Sequence, residues 1–385
     1  MARKKIRFGV IGLGLMGKEF GSAAARWCHL LTDGPVPEIV GICDTNKDAH
    51  KWFLDNFPEI NISTDNYQDL LDSKEIDAVY CAVPHNLHEK IYTDIIKSGK
   101  HFMGEKPFGI DQKANRTILK AVEEHPESVV RCCSELPYYP AAQRLIQWAM
   151  GKRFGRIIEV RAGFNHSSDM DLTKAINWKR MIEYNGEYGC MGDLGIHTQH
   201  IPFRMGWVPS TVFASLSNIA TERPDGKGGM AECKTWDNAV LSCSATDDGG
   251  NEFPLFLETK RMAPGCTNTW YISVYGTEAS ARFTTDDPRT FYYLETKGKE
   301  QAWCRLNMGY TPLIPGITGG IFEFGFPDSI LQMWAVYLKE IQAKEEGTEP
   351  PSFGCFTPEE TRLSHALHTA ALESQKKTSV EKVLV

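Results

Sequence analysis

The sequence predicts two domains in succession: an α/β half on a doubly wound parallel sheet, then an α+β half on an open, mainly antiparallel sheet. Three observations predict it. Roughly the first 130 residues alternate apolar strand-like runs with helical stripes. A glycine-rich turn follows the first of these runs. Beyond about residue 150, strand-like runs follow one another with Gly, Asp and Pro between them. At 385 residues the chain is too long for one ordinary core, and the change of texture divides it into 1–134 and 135–385.

In order, IRFGVIG (6–12) is an apolar strand, followed by a helix that ends near Ala23, Ala24 and Ala25. EIVGICD (38–44) is a second strand. Residues 48–57 read as helical, and Thr64 or Asp65 can cap a short helix through Leu71. DAVYCAVP (77–84) is a strand too apolar to have a wet face. Leu87, Ile91 and Ile95 then form a helical stripe closed by Gly99. HFMGEKP is a short strand entering a turn, Asp111 caps the next helix, and SVVRCCS (128–134) is another strand. In the second half RIIEVRAGFNH, STVFASLSN, NAVLSCSAT, FPLFLETKR, WYISVYG, SARFTTD and TFYYLET read as strands, with helical pattern at 171–182 and 193–205. Two helices close the chain. Leu331, Trp334, Leu338 and Ile341 mark one, and Thr357-Pro358-Glu359-Glu360 opens the other as a capping box with proline at its first position.

A net charge of −7 gives no electrostatic case for nucleic acid or an anionic membrane surface. No stretch reaches the roughly 18 apolar residues of a membrane span. The opening MARKK is basic, but the run after it is broken by glycines and followed by Lys18 and Glu19, which is not the form of a signal peptide. The eleven cysteines are scattered without zinc spacing, so no metal site is expected. Cys43, Cys81, Cys132, Cys133 and Cys243 read as small core residues, and such usage suits a reducing cytoplasm.

Gly12-Leu13-Gly14-Leu15-Met16-Gly17 is GxGxxG between a strand and a helix. Its glycines allow a tight turn, a close approach of backbone to a pyrophosphate and close helix–strand packing, and the helix N-terminus faces the phosphates. The strand 38–44 ends in Asp44, placed to accept from ribose hydroxyls and to repel a 2′-phosphate. That favours NAD over NADP; Lys47 nearby keeps NADP open. In a sheet of this Rossmann type, ligands bind at the carboxyl ends of the strands. Two segments end there: CAVPHNLHEK, with Pro84, Asn86 and His88, and GEKPFG, with Glu105, Lys106 and Pro107.

These motifs, together with GDLGIH past the midpoint, make the chain resemble the Gfo/Idh/MocA oxidoreductases, which include glucose–fructose oxidoreductase and inositol dehydrogenases. The resemblance covers nearly the whole chain. It implies a Rossmann domain, a substrate domain that often mediates oligomerisation (a dimer or tetramer here), and hydride transfer on a sugar, polyol or related ring. Carried over by motif, Lys106, Asp193 and His197 form the catalytic set. Asp193 and His197, four residues apart, share one helix face. A neutral imidazole accepts a proton near pH 7, and an ammonium stabilises a developing alkoxide. Gly12, Gly14, Leu15, Met16, Gly17, Asp44, Pro84, Asn86, His88, Glu105 and Lys106 are expected around the cofactor, although the side chains of His88 and His200 also read as structural. Asn165, His166, Trp178, Arg180 and Tyr139 are expected around the substrate. For Trp178 and Arg180 the alternative is a packed indole and a surface salt bridge. Where many relatives carry three glycines this chain has Glu187-Tyr188-Gly189. The segment SELPYYPAAQRL lacks the arginine often found before its proline, and Glu135, Tyr138 and Tyr139 stand there instead, where they are expected to line the cofactor or substrate.

The expected function is an NAD(P)-dependent oxidoreductase acting on a secondary hydroxyl of a sugar, cyclitol or glycoside. The alternative is a glycoside hydrolase that uses held NAD for transient oxidation and elimination. A third reading, a non-catalytic dinucleotide or sugar sensor, is opposed by the retention of Lys106 with His197.

Overall fold

The computed structural model describes residues 3–309 and 311–385; Met1 and Ala2 of the basic opening lie outside the described residues. The chain forms two compact units. The first comprises residues up to Gly109, Lys113–Tyr138 and Thr311–Pro358; the second comprises Ile110–Gln112, Tyr139 to residue 309, and Glu359–Val385. The segment 311–358, placed in the second half by sequence texture, is thus part of the first unit.

In the first unit β1 (Lys5–Ile11), α1 (Leu15–Ala25), β2 (Val36–Cys43), α2 (Lys47–Asn56), β3 (Ile62–Thr64), α3 (Gln68–Asp72), β4 (Ala78–Cys81), α4 (His88–Lys97), β5 (His101–Gly104), α5 (Gln112–Glu124) and β6 (Val130–Cys132) alternate. The six strands are all parallel, in the order β3-β2-β1-β4-β5-β6. β3 has only three residues, too few for a periodic signal, and the sequence reading passes over it. The returning segment supplies α9, given below, whose Trp334 lies 4.0 Å from Phe20 of α1 and 5.0 Å from Tyr80 of β4, centroid to centroid. Phe8 of β1 meets Phe20 edge-on at 5.0 Å. These four rings are buried and form the centre of the core on that face of the sheet. Arg131 pairs with buried Glu340 of α9, which also accepts from Cys355 N at 2.7 Å. The segment is therefore held by aromatic packing and by a buried charge with its partners.

The remaining elements in chain order are α6 (Pro140–Met150), β7 (Ile157–Asn165), α7 (Ile182–Asn185), α8 (Cys190–Arg204), β8 (Pro209–Ser217), β9 (Glu222–Pro224), β10 (Met230–Glu232), β11 (Asn238–Thr246), β12 (Glu252–Lys260), β13 (Thr269–Gly276), β14 (Ala279–Thr284), β15 (Thr290–Glu295), β16 (Cys304–Asn307), α9 (Phe326–Glu346), α10 (Pro358–Lys377) and β17 (Glu381–Lys382). The second unit is built on a nine-stranded sheet, β16-β15-β14-β13-β7-β12-β11-β8-β17; β9 and β10 form a separate hairpin. Only the β7–β12 pair is parallel; every other pairing in that sheet is antiparallel. Along β8, β11, β12 and β13 buried and wetter residues alternate, as a sheet with one covered face requires.

The helix expected at 171–182 does not form as one element. Asp171 Oδ1 accepts from Thr173 N at 2.9 Å, and Asn177 Oδ1 accepts from Lys179 N at 3.0 Å. These side chains bond the local backbone in place of a helical ladder. Only a 3₁₀ turn at Trp178–Arg180 and the four residues of α7 are helical.

Candidate active site

The glycine turn between β1 and α1 has three different glycines. Gly12 adopts φ +89°, and a Cβ there meets Ala82 O at 2.4 Å. At Gly17 a Cβ meets Gly12 O at 2.4 Å, so this position lets α1 pack on the turn. At Gly14 a Cβ meets nothing within 4 Å. Gly14 therefore faces open space at the start of α1, where backbone N–H groups and the positive end of the helix dipole suit a pyrophosphate. Leu15 is exposed and Met16 half-buried beside it.

Asp44, immediately after β2, ties the turn to the sheet. Its Oδ2 accepts from Leu13 N at 2.8 Å and its Oδ1 from Asn46 N at 2.8 Å. Beyond the ends of β2 and β3 lies a cavity of about 450 Å³ lined by Lys47, His50, Ser63, Thr64 and Asp65. His50 is clamped by Asp44 O and Ser63 Oγ, both at 2.8 Å. Sequence reasoning did not mark His50 of α2 or Ser63 as site residues and read Asp65 only as a possible helix cap; Ser63 lies on the three-residue β3, which has no periodicity. The open Gly14, the Asp44 carboxylate and this cavity all fit a dinucleotide.

At the carboxyl edge of the same sheet, Glu105 and Lys106 follow β5. Glu105 is buried, and its Oε1 accepts from Tyr80 OH at 2.9 Å. Its backbone carbonyl accepts from Tyr92 OH at 2.9 Å. Lys106 is half-buried. Pro84 is half-buried and Asn86 exposed. His88 needs correction as a cofactor contact. It is fully buried, with Nε2 3.1 Å from both Val83 O and Tyr92 OH, and its Nδ1 accepts from Gly109 N at 3.3 Å. Both ring nitrogens are engaged internally, so its side chain is structural.

In the second unit, α8 carries Asp193 and His197 one turn apart. All but the last residue of the helix are buried, its polar residues Asp193, His197, Thr198, Gln199 and His200 included. Gly189 precedes it at φ +57°, where a Cβ meets Trp236 N at 2.5 Å. Asp193 is 2% exposed; Lys179 Nζ donates to its Oδ2 at 3.0 Å, and Arg261 Nε reaches the same oxygen at 3.3 Å. The imidazole of His197 stands edge-on to Phe164 at 5.1 Å, and its carbonyl accepts from Trp270 Nε1 at 2.8 Å. Lys179 and Arg261 were not singled out from sequence. Lys179 lies in the irregular stretch mistaken for a helix, and Arg261 is one residue past β12.

Of the expected substrate residues, Asn165 Nδ2 donates to Glu258 Oε2 at 3.4 Å, and His166 Nδ1 lies 3.0 Å from Thr267 O. Trp178 is half-buried, with Lys179 Nζ 5.8 Å from its ring. Tyr139 is packed, its ring 5.7 Å from Phe283. Arg180 needs correction. It is fully buried and ion-paired with Asp169 and Asp237, so its guanidinium is an internal charge. It is not the surface salt bridge of the alternative reading either. Tyr188, in the departed glycine segment, is also turned inward, with its OH 2.8 Å from Thr369 Oγ1. His200 is fully buried.

Residues 6–131 match the model of an oxidoreductase family with an NAD-binding Rossmann fold, Gfo/Idh/MocA. Residues 6–131 thus match that family's NAD-binding domain. Its curated relatives include the levoglucosan dehydrogenase of Pseudarthrobacter phenanthrenivorans, 24% identical over 297 residues, spanning 73% of this chain and 74% of that protein. A solved levoglucosan dehydrogenase in complex with NADH superposes with a TM-score of 0.84 at 21% identity, covering 99% of this chain and 100% of that one. A glycosyl hydrolase family 109 protein of Phocaeicola vulgatus is 26% identical over 171 residues, 42% of this chain and 29% of that protein. All eleven cysteines of the chain are free thiols. Among the described residues no cluster suits a metal ion, and no helix is long and apolar enough to cross a membrane.

Proposed function

We propose that this chain is an NAD-dependent dehydrogenase that moves a hydride between the nicotinamide and a secondary hydroxyl of a sugar or cyclitol. One observation carries the reading. A single parallel sheet presents an open glycine turn for a pyrophosphate and, two strands away at the same carboxyl edge, the ammonium of Lys106. Gly12, Gly14, Gly17 and Asp44 would hold the dinucleotide, which when bound accepts or donates the hydride. Asp44 and the neighbouring Asp65 oppose a 2′-phosphate, which favours NAD; Lys47 is the one lining group that would tolerate NADP.

Lys106 donates to the substrate oxygen and stabilises negative charge as the C–H bond breaks, worth about 3 kcal/mol by analogy with one oxyanion donor. His197 takes the hydroxyl proton. Asp193, held by Lys179 and Arg261, orients the helix turn that carries His197. Asn165, His166 and Trp178 remain the proposed sugar contacts. The name of the levoglucosan dehydrogenase relative supports a carbohydrate substrate. The outer face of the nine-stranded sheet exposes Phe213 and Val240, which supports a homo-oligomer; light scattering on the purified protein tests that.

The deciding experiment is a panel of sugars, cyclitols and glycosides with NAD. Net NADH formation on a free sugar or cyclitol supports the dehydrogenase. Aglycone release without net NADH supports a redox-neutral glycosidase, the reading favoured by the similarity to the family 109 hydrolase. Binding with neither product rejects both.

A further inference from the structure

The strand order β3-β2-β1-β4-β5-β6 sets the direction of a bound dinucleotide. The pyrophosphate belongs at Gly14, after β1, and Asp44, after β2, takes the adenosine ribose. β5, which leads to Lys106, lies on the other side of β1. The adenine therefore points outward, toward edge strand β3. There lies the cavity of about 450 Å³ lined by Lys47, His50, Ser63, Thr64 and Asp65. Nothing said so far assigns a group to the base itself.

The hydrogens on this wall can be traced one by one. A backbone carbonyl only accepts, so in the neutral imidazole His50 Nε2, 2.8 Å from Asp44 O, carries the ring's hydrogen. Nδ1 is then an acceptor, and Ser63 Oγ, 2.8 Å away, donates to it. Ser63 keeps only lone pairs for the cavity. Thr64 Oγ1 donates to Asp69 Oδ2 and accepts from Asn66 N at 3.1 Å, so its hydrogen is committed too. Asp65, as a carboxylate, has none to give. Three consecutive side chains at the end of β3 thus present acceptors alone. The remaining donor of the lining is Lys47, exposed at the first position of α2.

We propose that Ser63 and Asp65 read the exocyclic amine of adenine, with His50 as the positioning residue that keeps the Ser63 hydrogen away from the base. Adenine carries its edge donors on that amine, whereas guanine has a carbonyl in the same place. A purine with a carbonyl there sets an acceptor against acceptors, so the wall selects against it. The same imidazole holds the carbonyl of Asp44, whose Oδ2 accepts from Leu13 N at 2.8 Å in the glycine turn. One residue of α2 therefore aligns the base wall with the ribose acid. The proposal rests on NAD as the cofactor and is independent of the sugar.

The test is an equilibrium titration of the cofactor-free chain with NAD and with nicotinamide hypoxanthine dinucleotide, in which a carbonyl replaces the amine. The hypoxanthine form should bind at least about tenfold more weakly. Asp65→Asn supplies an amide donor for the carbonyl and should narrow the gap to within about threefold. His50→Leu releases the Ser63 hydroxyl and should narrow it as well; a general loss of structure would weaken both dinucleotides alike and leave the ratio intact. Equal affinities in the wild type, or a gap that Asp65→Asn leaves untouched, overturn the proposal. So does a gap that vanishes in Lys47→Met, which would make the ammonium the reader. Asp65 is exposed, so the wild-type and Asp65→Asn titrations decide even where His50→Leu does not fold. A chain that binds neither dinucleotide overturns it together with the cofactor reading. Sugars take no part in these titrations, so the result stands apart from the dehydrogenase reading.

Discussion

Lys179 Nζ lies 3.0 Å from Asp193 Oδ2, and the buried guanidinium of Arg261 approaches the same oxygen at 3.2 Å. The buried carboxylate is thus held between two cations. Removing it leaves Arg261 buried beside a missing counter-charge, at a cost of about 3–5 kcal/mol. Asp193→Ala is therefore expected to lose stability in urea titration as well as activity. Lys179→Met leaves the Asp193–Arg261 pair in place, and its cost should stay under about 1 kcal/mol, since Lys179 is partly solvated. An Asp193→Ala protein as stable as the wild type would show that the pair is not structural.

The glycines of the turn separate folding from binding. Gly12→Ala meets both a positive φ and Ala82 O, and should destabilise by at least about 1–3 kcal/mol. Gly14→Val meets no atom of the chain, so its melting temperature should stay near wild type. Its NAD affinity should fall by at least about tenfold, because the side chain occupies the approach of the pyrophosphate. Calorimetry and NAD titration on the two variants check this. A Gly14→Val that binds NAD normally would place the pyrophosphate elsewhere.

Lys106 carries the functional reading. Lys106→Ala should lower turnover by at least about tenfold and leave the NAD dissociation constant within about twofold. Equilibrium binding and steady-state rates measured on the same preparation separate the two effects. Loss of cofactor binding would make the lysine a structural group.

Acid stability follows from the buried histidines of α10. Gln199 Nε2 lies 2.8 Å from His368 Nε2, and burial, with the nearby His365, lowers the pKa of His368 to about 3. The folded imidazole resists protonation while the unfolded one accepts a proton near 6.5. The unfolded state thus binds more protons in this window, so stability falls as pH drops from 6.5 toward 3. Between pH 6.5 and 4.5 this one group accounts for about 2 kcal/mol. The urea midpoint of His368→Asn should depend less on pH over that interval than that of the wild type. Equal slopes would assign the acid sensitivity to other groups.

Most of the Rossmann half was legible, since β4, β5 and β6 fall within the expected runs and β1 and β2 begin only one and two residues before theirs. A fully buried parallel strand is apolar along its length, and GxGxxG marks the turn directly. The 171–182 stretch was misread because its spacing looks helical while Asp171, Thr173 and Asn177 bond the backbone around them. Arg180 looked like a pocket residue from motif position, but it meets two aspartates inside the unit; Tyr188, in the departed glycine segment, meets Thr369 from α10. Glu135 stood out in sequence as a departure placed to line the cofactor or substrate; its burial, which raises its carboxyl to about 7, is not written in local spacing.

By itself the sequence determined most of the order of elements in the first unit, the dinucleotide turn and the acid that follows β2, because each is written in local spacing. The tertiary structure decided that 311–358 returns to the first unit and that Asp193 sits between two cations. Those facts depend on which distant segments meet in a low-dielectric interior, where a neighbour's charge sets what a side chain can do.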